Sequence, residues 1–385
     1  MSLVPMRPIL DTADRLCYAQ GAFNVNAVAQ AQAVIDVHAM FRSPAILQAA
    51  DLANGFMGGR KDFMNATLQD KKLGAKNIAQ AVIRYAKDSP FPVALHLDHG
   101  RDIESIVAAI EGGYTSVMID GSSLCLGQNI ELTREVVKYA HPRGVTVEGE
   151  LGILAGVEDH VFCDTSTYTN PLSAIRFFKE THVDALAISY GTMHGANKGN
   201  APRIRKEIAI AIKECMRHEH IQGTLVSHGS STVPHYLVEE INNLGGDIHD
   251  AHGIDIEQLI EVSKLGIGKI NVDTDIRLAV TRNIREYFVT SPQRKQNPEI
   301  QDIWTLMESN PKAFDPRCYL TPIMDTLMYG TIPNQGVADI IECMKAGVKE
   351  VVGTLIVQFG SVGKAPQVEQ KTLGQMADFY AKEGI

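Results

Sequence analysis

Short runs of apolar residues recur along the chain, and each is followed by a polar or glycine-rich turn and then by a stretch with helical spacing. Each run has the length of a β-strand, and an almost continuous apolar character is typical of parallel strands buried on both faces. The stretches between them predict helices, for example from Asp102, Pro171 and Asp255. The predicted strands begin at Ala22, Ala45, Val93, Ser116, Val145, Ala185, Thr224 and Lys269.

Alternating strands and helices of this number predict an α/β fold of the (β/α)8 TIM-barrel type, for which about 250 residues suffice. A doubly wound sheet is the alternative, but no G-x-G-x-x-G follows the first strand, and polar residues stand at the ends of many strands. We predict a barrel catalytic domain over residues 1–290. Residues 291–385, which open with a breaker-rich loop, are predicted to form a C-terminal helical appendage packed on the barrel.

Composition narrows the classes of function. The 385 residues carry a net charge of −9, and no basic run is interleaved with aromatic residues, so we expect neither nucleic acid nor a membrane surface as partner. No apolar stretch approaches the roughly 20 residues of a spanning helix, and the N-terminus lacks the pattern of a leader, which predicts a cytoplasmic protein. The six cysteines form no C-x-x-C pair and are interpreted as reduced.

Histidines mark the ends of three predicted strands, in Asp98-His99-Gly100, His194-Gly195 and His228-Gly229. In a TIM barrel the carboxyl ends of all strands meet at one face, so these imidazoles are predicted to converge. Three neutral nitrogen ligands with an open fourth position describe a catalytic zinc site. A single histidine on an apolar strand is more often a core residue, and it is the joint placement that favours a metal. For His96, two residues before Asp98, a supporting role and plain packing both stay open.

Carboxylates stand beside the predicted metal ligands. Asp98 at its strand end is a candidate general acid or base, with a surface turn as the alternative. Asp120 and Glu150 end the next two strands, where either could orient a histidine or hold a second cation. Glu158 lies in a glycine-containing stretch that could close over the site, and a solvated loop acid is the alternative.

The loops after the last three predicted strands are rich in groups that bind phosphate. Glycine N–H groups, hydroxyls and a lysine occur there, and loops at this position often form the phosphate site of a TIM barrel. The same residue types also populate ordinary turns. The residues concerned are Gly195, Lys198, Gly229, Ser230, Ser231, Asn271, Asp273 and Thr274.

Taken in order, the motifs AFNV, HLDHG, VMIDGS, VEGELG, GTMHGANKG, LVSHGSS and KINVDTDIRLA, followed by FDPR and QFGSVGKA, resemble those of the class II, metal-dependent fructose-1,6-bisphosphate aldolases. The resemblance implies that His99, His194 and His228 hold a catalytic zinc ion, with Asp120 and Glu150 available to a second divalent or monovalent cation.

The same resemblance assigns roles around a sugar phosphate substrate. Asp98 would move the proton on the aldehyde oxygen, and Glu158 the proton on the dihydroxyacetone phosphate carbon. Asn24 would lie near the bond that breaks, and Arg317 would bind the distal phosphate, often across a subunit boundary, so a homodimer or homotetramer is expected. The residues that would surround the ketose phosphate are Gly195, Lys198, Gly229, Ser230, Ser231, Asn271, Asp273 and Thr274.

Departures from the family pattern concentrate in the aldehyde half of the site. Ala50 stands where a serine is usual, and Asp51 adds an acid that would repel a phosphate. Asn197 replaces an aromatic residue, and residues 329–347 resemble an insertion. We therefore expect an intact ketose-phosphate half and an aldehyde other than glyceraldehyde 3-phosphate.

Two other classes of function compete with an aldolase. A metal-dependent hydrolase on the same barrel commonly has an H-x-H pair at the end of its first strand, and AFNVNAV has none. A barrel retained only as an interaction scaffold predicts eroded site residues, yet the three histidines and both predicted proton carriers are present.

Overall fold

A computed structural model describes residues 3–158, 161–163, 167–196 and 203–384, without the side chains of residues 157, 158 and 161–163. Eight parallel strands close into a barrel in the order β1, β2, β3, β4, β5, β8, β9 and β10, and β6 pairs with β7 as a separate antiparallel hairpin. The strands are β1 (Gln20–Asn24), β2 (Ala45–Ala50), β3 (Val93–Gly100), β4 (Ser116–Ile119), β5 (Thr146–Leu151), β6 (Gly156–Glu158), β7 (Val161–Cys163), β8 (Ala185–Ile188), β9 (Thr224–Ser227) and β10 (Ile267–Val272).

Helices follow the strands and form the outer layer, which confirms the predicted (β/α)8 barrel and all eight predicted strands. Within the described residues the α-helices are α1 (Arg7–Leu16), α2 (Val28–Phe41), α3 (Asp51–Met57), α4 (Leu68–Ala86), α5 (Ile103–Gly112), α6 (Leu126–Ala140), α7 (Pro171–Thr181), α8 (Lys206–His218), α9 (His235–Asn243), α10 (Ile256–Ser263), α11 (Thr274–Val289), α12 (Gln301–Ser309), α13 (Pro316–Tyr319), α14 (Met324–Tyr329), α15 (Gln335–Gln358) and α16 (Leu373–Glu383).

Polar residues cap three helices at the positions where the sequence predicted that these helices begin. The side chains of Asp102, Asn170 and Asp255 accept hydrogen bonds from backbone N–H groups in the first turns of α5, α7 and α10. The last barrel helix, α11, ends at Val289. Beyond it, the long helix α15 packs against α2 and α11, so the C-terminal helices share the core of the barrel.

The interior of the barrel is apolar at its N-terminal end and polar above it. Met6, Ile9 and Leu10 from the N-terminal segment close this end of the barrel and pack against strand residues such as Ala94 and Val226. The site residues occupy the opposite end, where the strands finish. In the part of the chain that the structure describes, no helix has both the length and the apolar character needed to cross a membrane.

The buried carboxylate of Asp184 stabilises the closed end of the barrel. Its oxygens accept hydrogen bonds from Arg7 at 2.8 Å, from the backbone N–H of Val147 at 2.7 Å and from the Tyr380 hydroxyl at 2.9 Å, and lie 3.2 Å from His141. Although burial alone would raise it, the pKa of Asp184 lies below its ordinary value because His141 and Arg7 favour the charged form. Asp184 therefore joins the N-terminal segment, the barrel and the C-terminal helix.

We expect Asp184→Asn to lower the free energy of unfolding by about 3–5 kcal/mol at neutral pH, because it removes the buried ion-pair partner of Arg7 and leaves only the exposed Asp11 at 3.7 Å. A depressed folded-state pKa stabilises the protein fully above the unfolded value of about 3.9, and this contribution is lost as the pH falls from that value through the lower folded-state pKa. Urea unfolding from pH 7 to pH 3 should therefore show the two proteins converging in acid. Glu219→Gln, at an exposed ion pair with Lys179, should change nothing measurable, and equal stability of Asp184→Asn and wild type at pH 7 would contradict the assignment.

Candidate active site

His99 reaches the site through an irregularity in β3. Its φ of 48° lies in the left-handed region, and the register with β4 shifts between Leu97 and Gly100. In a regular strand Asp98 and His99 would point to opposite faces. The bulge instead lets two consecutive side chains serve the same site, as strand bulges beside active sites commonly do.

The three predicted histidines meet at the carboxyl end of the barrel. The ring centroid of His99 lies 5.3 Å from that of His194 and 4.7 Å from that of His228. All three are buried. The structure thus brings together rings that are 129 positions apart in the sequence, from residue 99 to residue 228.

Carboxylates contact these rings, as the sequence predicted for two of them. Nδ1 of His99 lies 3.2 Å from Asp120, and Nδ1 of His228 lies 3.0 Å from Glu150. Glu148, which was not among the predicted site residues, lies 2.9 Å from Nε2 of His228. Glu148 and Glu150 are two residues apart on β5 and therefore both point into the barrel.

These side chains fit a divalent cation. The ligand atoms of Asp98, His99 and His228 lie within 4.8 Å of one another, and so do those of His99, Asp120 and Glu150. Imidazole nitrogen and carboxylate oxygen are ligands that zinc accepts. The two sets share His99, so they describe adjoining positions for one or two cations.

The charges of the site favour protonated rings when no cation is bound. Burial opposes the charge on His228, but Glu148 and Glu150 outweigh it and raise the pKa of the ring to about 9. The pKa of His99 is likewise raised against the effect of burial, by Asp98, Asp120 and Glu150. The site therefore has an excess of negative groups, which a dication would neutralise.

Asp98 is held by amide groups on both of its oxygens. Asn271 donates to Oδ1 at 3.0 Å, and Gln48 and Asn24 donate to Oδ2 at 3.0 and 3.4 Å. Gln48 also donates to the Asn24 side-chain oxygen at 2.6 Å. The carboxylate is therefore fixed in position at the end of β3, beside the imidazoles.

A small cleft joins the histidines to the phosphate-type loops. Eight of the ten predicted substrate contacts line it together with His99 and His228. A Cβ at Gly229, whose φ is 58°, would lie 2.5 Å from the carbonyl oxygen of Met193, so two loops approach there as only glycine permits. The eight are Asn24, Gly195, Gly229, Ser230, Ser231, Asn271, Asp273 and Thr274.

The N-terminus of α11 opens at this cleft. The Ser231 hydroxyl oxygen accepts from the backbone N–H groups of Asp273 and Thr274 at 3.4 and 3.2 Å. Arg277 donates to the Asp273 carboxylate at 2.9 Å and compensates its charge. A helix N-terminus beside hydroxyls and glycine N–H groups is a common anion-binding arrangement.

Arg317 lies outside this group of cleft residues. It is buried, pairs with Asp315 at 2.7 Å, and its guanidinium lies 4.4 Å from the Phe63 ring centroid. Asp315 also binds Arg277 at 3.1 Å, so a chain of charges connects Arg317 to Asp273 in the cleft.

Two further predictions fall on or beside residues that the structure leaves out. Lys198, like Asn197, lies outside the described residues, and Glu158 is described only in its backbone, as the last residue of β6. At the aldehyde side, Ala50 pairs in register with Asp98. Asp51 forms an ion pair with Lys71, so the charge from which the sequence analysis expected repulsion is balanced within the protein.

Sequence reasoning missed the polar layer immediately below the site. Glu148 and Lys269 are completely buried and 3.0 Å apart, and His96, whose role the sequence left open, contacts Ser116 at 2.8 Å in the same layer. A charged residue two positions before a site residue on the same strand was the available signal, at Glu148 before Glu150 and at Lys269 before Asn271.

A TIM barrel with converging imidazoles, carboxylates and an anion-binding cleft at the carboxyl ends of its strands defines an enzyme site of the metal-assisted class. Comparison with known proteins gives the family. The family described as "Fructose-bisphosphate aldolase class-II" matches residues 4–364. The chain belongs to this metal-dependent family and is a class II aldolase, a carbon–carbon lyase, which removes the hydrolase and scaffold alternatives.

Known relatives align with this chain over nearly their full lengths. The fructose-bisphosphate aldolase of Treponema pallidum is 38% identical over 345 residues, covering 85% of this chain and 93% of the relative. That of Giardia intestinalis is 37% identical, covering 86% and 92%. Among solved structures, the YdjI aldolase from Escherichia coli K12 superposes with a TM-score of 0.64 at 25% identity, covering 94% of this chain and 99% of that one.

Proposed function

We propose that this protein is a zinc-dependent aldolase that reversibly cleaves fructose 1,6-bisphosphate, or a related ketose phosphate, to dihydroxyacetone phosphate and an aldehyde. The observation that carries the proposal is the convergence of three imidazoles with the fixed carboxylate of Asp98 beside the anion-binding cleft. Bound there by His99, His194 and His228, a zinc ion would act as a Lewis acid that stabilises negative charge on the substrate.

Residues of the chain would bind and orient the substrate. The cleft would hold the ketose phosphate through Gly195, Gly229, Ser231 and Thr274, which would place the carbonyl end of the substrate toward the imidazoles. Asn24 would contact the substrate near the bond that breaks. A phosphate bound there would use the glycine N–H groups and the helix N-terminus at this side of the site.

Cleavage would begin with the removal of a proton from the substrate. Asp98 would accept the proton of the substrate hydroxyl, the electrons of that O–H bond would form the aldehyde carbonyl, and the pair from the broken carbon–carbon bond would remain on the other half as an enediolate. Glu158 would return a proton to the enediolate carbon and complete dihydroxyacetone phosphate. Amide groups around Asp98 leave it in one orientation, which favours a single proton acceptor.

The aldehyde half favours a second candidate within the same reaction. Ala50 lies beside Asp98 and has no polar side-chain atom, and the carboxylate of Asp51 forms an ion pair with Lys71. Neither residue then provides a hydrogen-bond donor to a phosphate, so a substrate whose aldehyde part lacks a phosphate would be preferred. The assembly as homodimer or homotetramer stays a prediction from the family resemblance.

One panel on the purified enzyme tests both candidates. We expect about one bound zinc ion per chain, release of dihydroxyacetone phosphate from fructose 1,6-bisphosphate, loss of that release with a chelator and recovery with zinc. Parallel assays with fructose 1-phosphate and other ketose 1-phosphates, whose aldehyde halves carry no phosphate, decide the aldehyde. Turnover of fructose 1,6-bisphosphate equal to that of the best alternative would contradict the altered aldehyde half, and activity indifferent to chelation would contradict the metal.

A further inference from the structure

A buried ion pair lies inside the barrel directly below the proposed metal site. The Nζ of Lys269 on β10 lies 3.0 Å from Oε2 of Glu148 on β5, and neither side chain is accessible to solvent. β9 and β8 stand between these two strands in the barrel wall, so the pair spans the interior. Buried charges are costly unless they are paired and hydrogen-bonded, so their other contacts indicate what the pair does.

Oε2 of Glu148 also lies 3.6 Å from Nε2 of the buried His96. Beyond that contact, each partner leads to a different part of the site. Oε1 of Glu148 lies 2.9 Å from Nε2 of His228. Lys269 donates to the side-chain oxygen of Asn271 at 2.8 Å, and the Asn271 amide nitrogen donates to Asp98 at 3.0 Å. One ion pair thus connects a proposed metal ligand with the proposed proton carrier.

The geometry also distinguishes the two nitrogens of His228. Nε2 faces down to Glu148, whereas Nδ1 faces Glu150, whose carboxylate lies 4.0 Å from Nδ1 of His99. A carboxylate that accepts a hydrogen bond from one nitrogen of an imidazole fixes the tautomer and orientation of the ring and leaves the other nitrogen for the metal. Glu148 stands in that relation to His228.

We propose that Glu148 and Lys269 are positioning residues, which orient His228 to bind the cation through Nδ1 and, through Asn271, hold Asp98 in place for proton transfer. This inference rests on the proposed function, since it takes His228 as a ligand and Asp98 as the proton carrier. A pair that served only the stability of the barrel would leave metal affinity unchanged when it is replaced without leaving a single charge behind.

Glu148→Gln and the double variant Glu148→Gln/Lys269→Met test the proposal. The first keeps the shape and an acceptor oxygen, and the second removes both charges together, so that no unpaired charge stays buried. We expect each to bind zinc about 10–100-fold more weakly in competition with a chelator. The visible absorption of the cobalt-loaded protein should shift, and kcat should fall with little change in KM. Asp184→Asn, which breaks a buried ion pair at the opposite end, should keep wild-type metal affinity.

Wild-type zinc affinity and cobalt spectrum in the folded double variant would overturn the proposal and leave the pair a structural one. A crystal structure of the unaltered, zinc-loaded protein provides a test that does not depend on whether the variants fold. We expect Nδ1 of His228 on the metal and Nε2 on Glu148, and coordination through Nε2 would overturn the proposal. Failure of wild-type protein to bind zinc or cobalt would instead refute the proposed function, and this inference with it.

Discussion

Replacing His228 with alanine is expected to remove the bound cation and the aldol cleavage together. The ring contacts Glu148 and Glu150 and lies beside His99, so its loss leaves two buried carboxylates facing a site with one imidazole fewer. We expect the rate to fall about 10³-fold or more, because Lewis-acid stabilisation supplies several kcal/mol and about 1.4 kcal/mol is a factor of ten. Metal content per chain and release of dihydroxyacetone phosphate measure the two effects.

A buried histidine away from the site provides the matched control. His38 on α2 is buried against Phe23, and burial lowers the pKa of its ring to about 3, so it is neutral at ordinary pH. His38→Leu should retain the metal and the activity. A His228→Ala variant that cleaves substrate without metal would refute the proposed role of the cation.

Replacing Asp98 with asparagine should separate the two functions of the site. The amide cannot take the substrate proton, so we expect kcat to fall by about 10²–10⁴-fold, the usual contribution of a general base. The three imidazoles are untouched, so zinc content should stay at the wild-type value. Steady-state kinetics and metal analysis on the same preparation provide the comparison.

Asp102→Asn is the neighbouring control, because Asp102 is exposed and asparagine caps a helix as well as aspartate does. It should leave the rate unchanged. Unimpaired cleavage by Asp98→Asn would assign the proton to another group. Loss of metal in proportion to activity would instead make Asp98 a ligand, as its proximity to His99 and His228 also permits.

The fold could be predicted from the sequence because its signals are local. Each strand is an apolar run bounded by turn residues, and capping residues such as Asp102 and Asn170 stand where the helices begin. That His99, His194 and His228 lie at one face followed from the topology, because the carboxyl ends of barrel strands share that face. The bulge in β3 that turns His99 toward the site was not predictable in this way.

The rest of the site depends on pairings between distant residues. Nothing local in VTVEGEL indicates that Glu148 meets Lys269 across the barrel, and the partner of Arg317 is likewise set by how α13 packs. Asp51 is a second case in which a partner distant in the sequence could not be predicted. Its charge predicted repulsion, and only the structure shows that Lys71 balances it.

The left-handed backbone conformation at His99 lowers the stability of the fold at a position that the active site requires. A non-glycine residue in this region costs of order 1–3 kcal/mol, and glycine would adopt the same φ of 48° without that penalty. In this conformation the His99 side chain stands beside Asp98 and within reach of the proposed metal position. Glycine would relieve this strain but would remove the imidazole that contacts Asp120, so the position gives up backbone stability for the chemistry of the site, as trade-offs at active sites generally do.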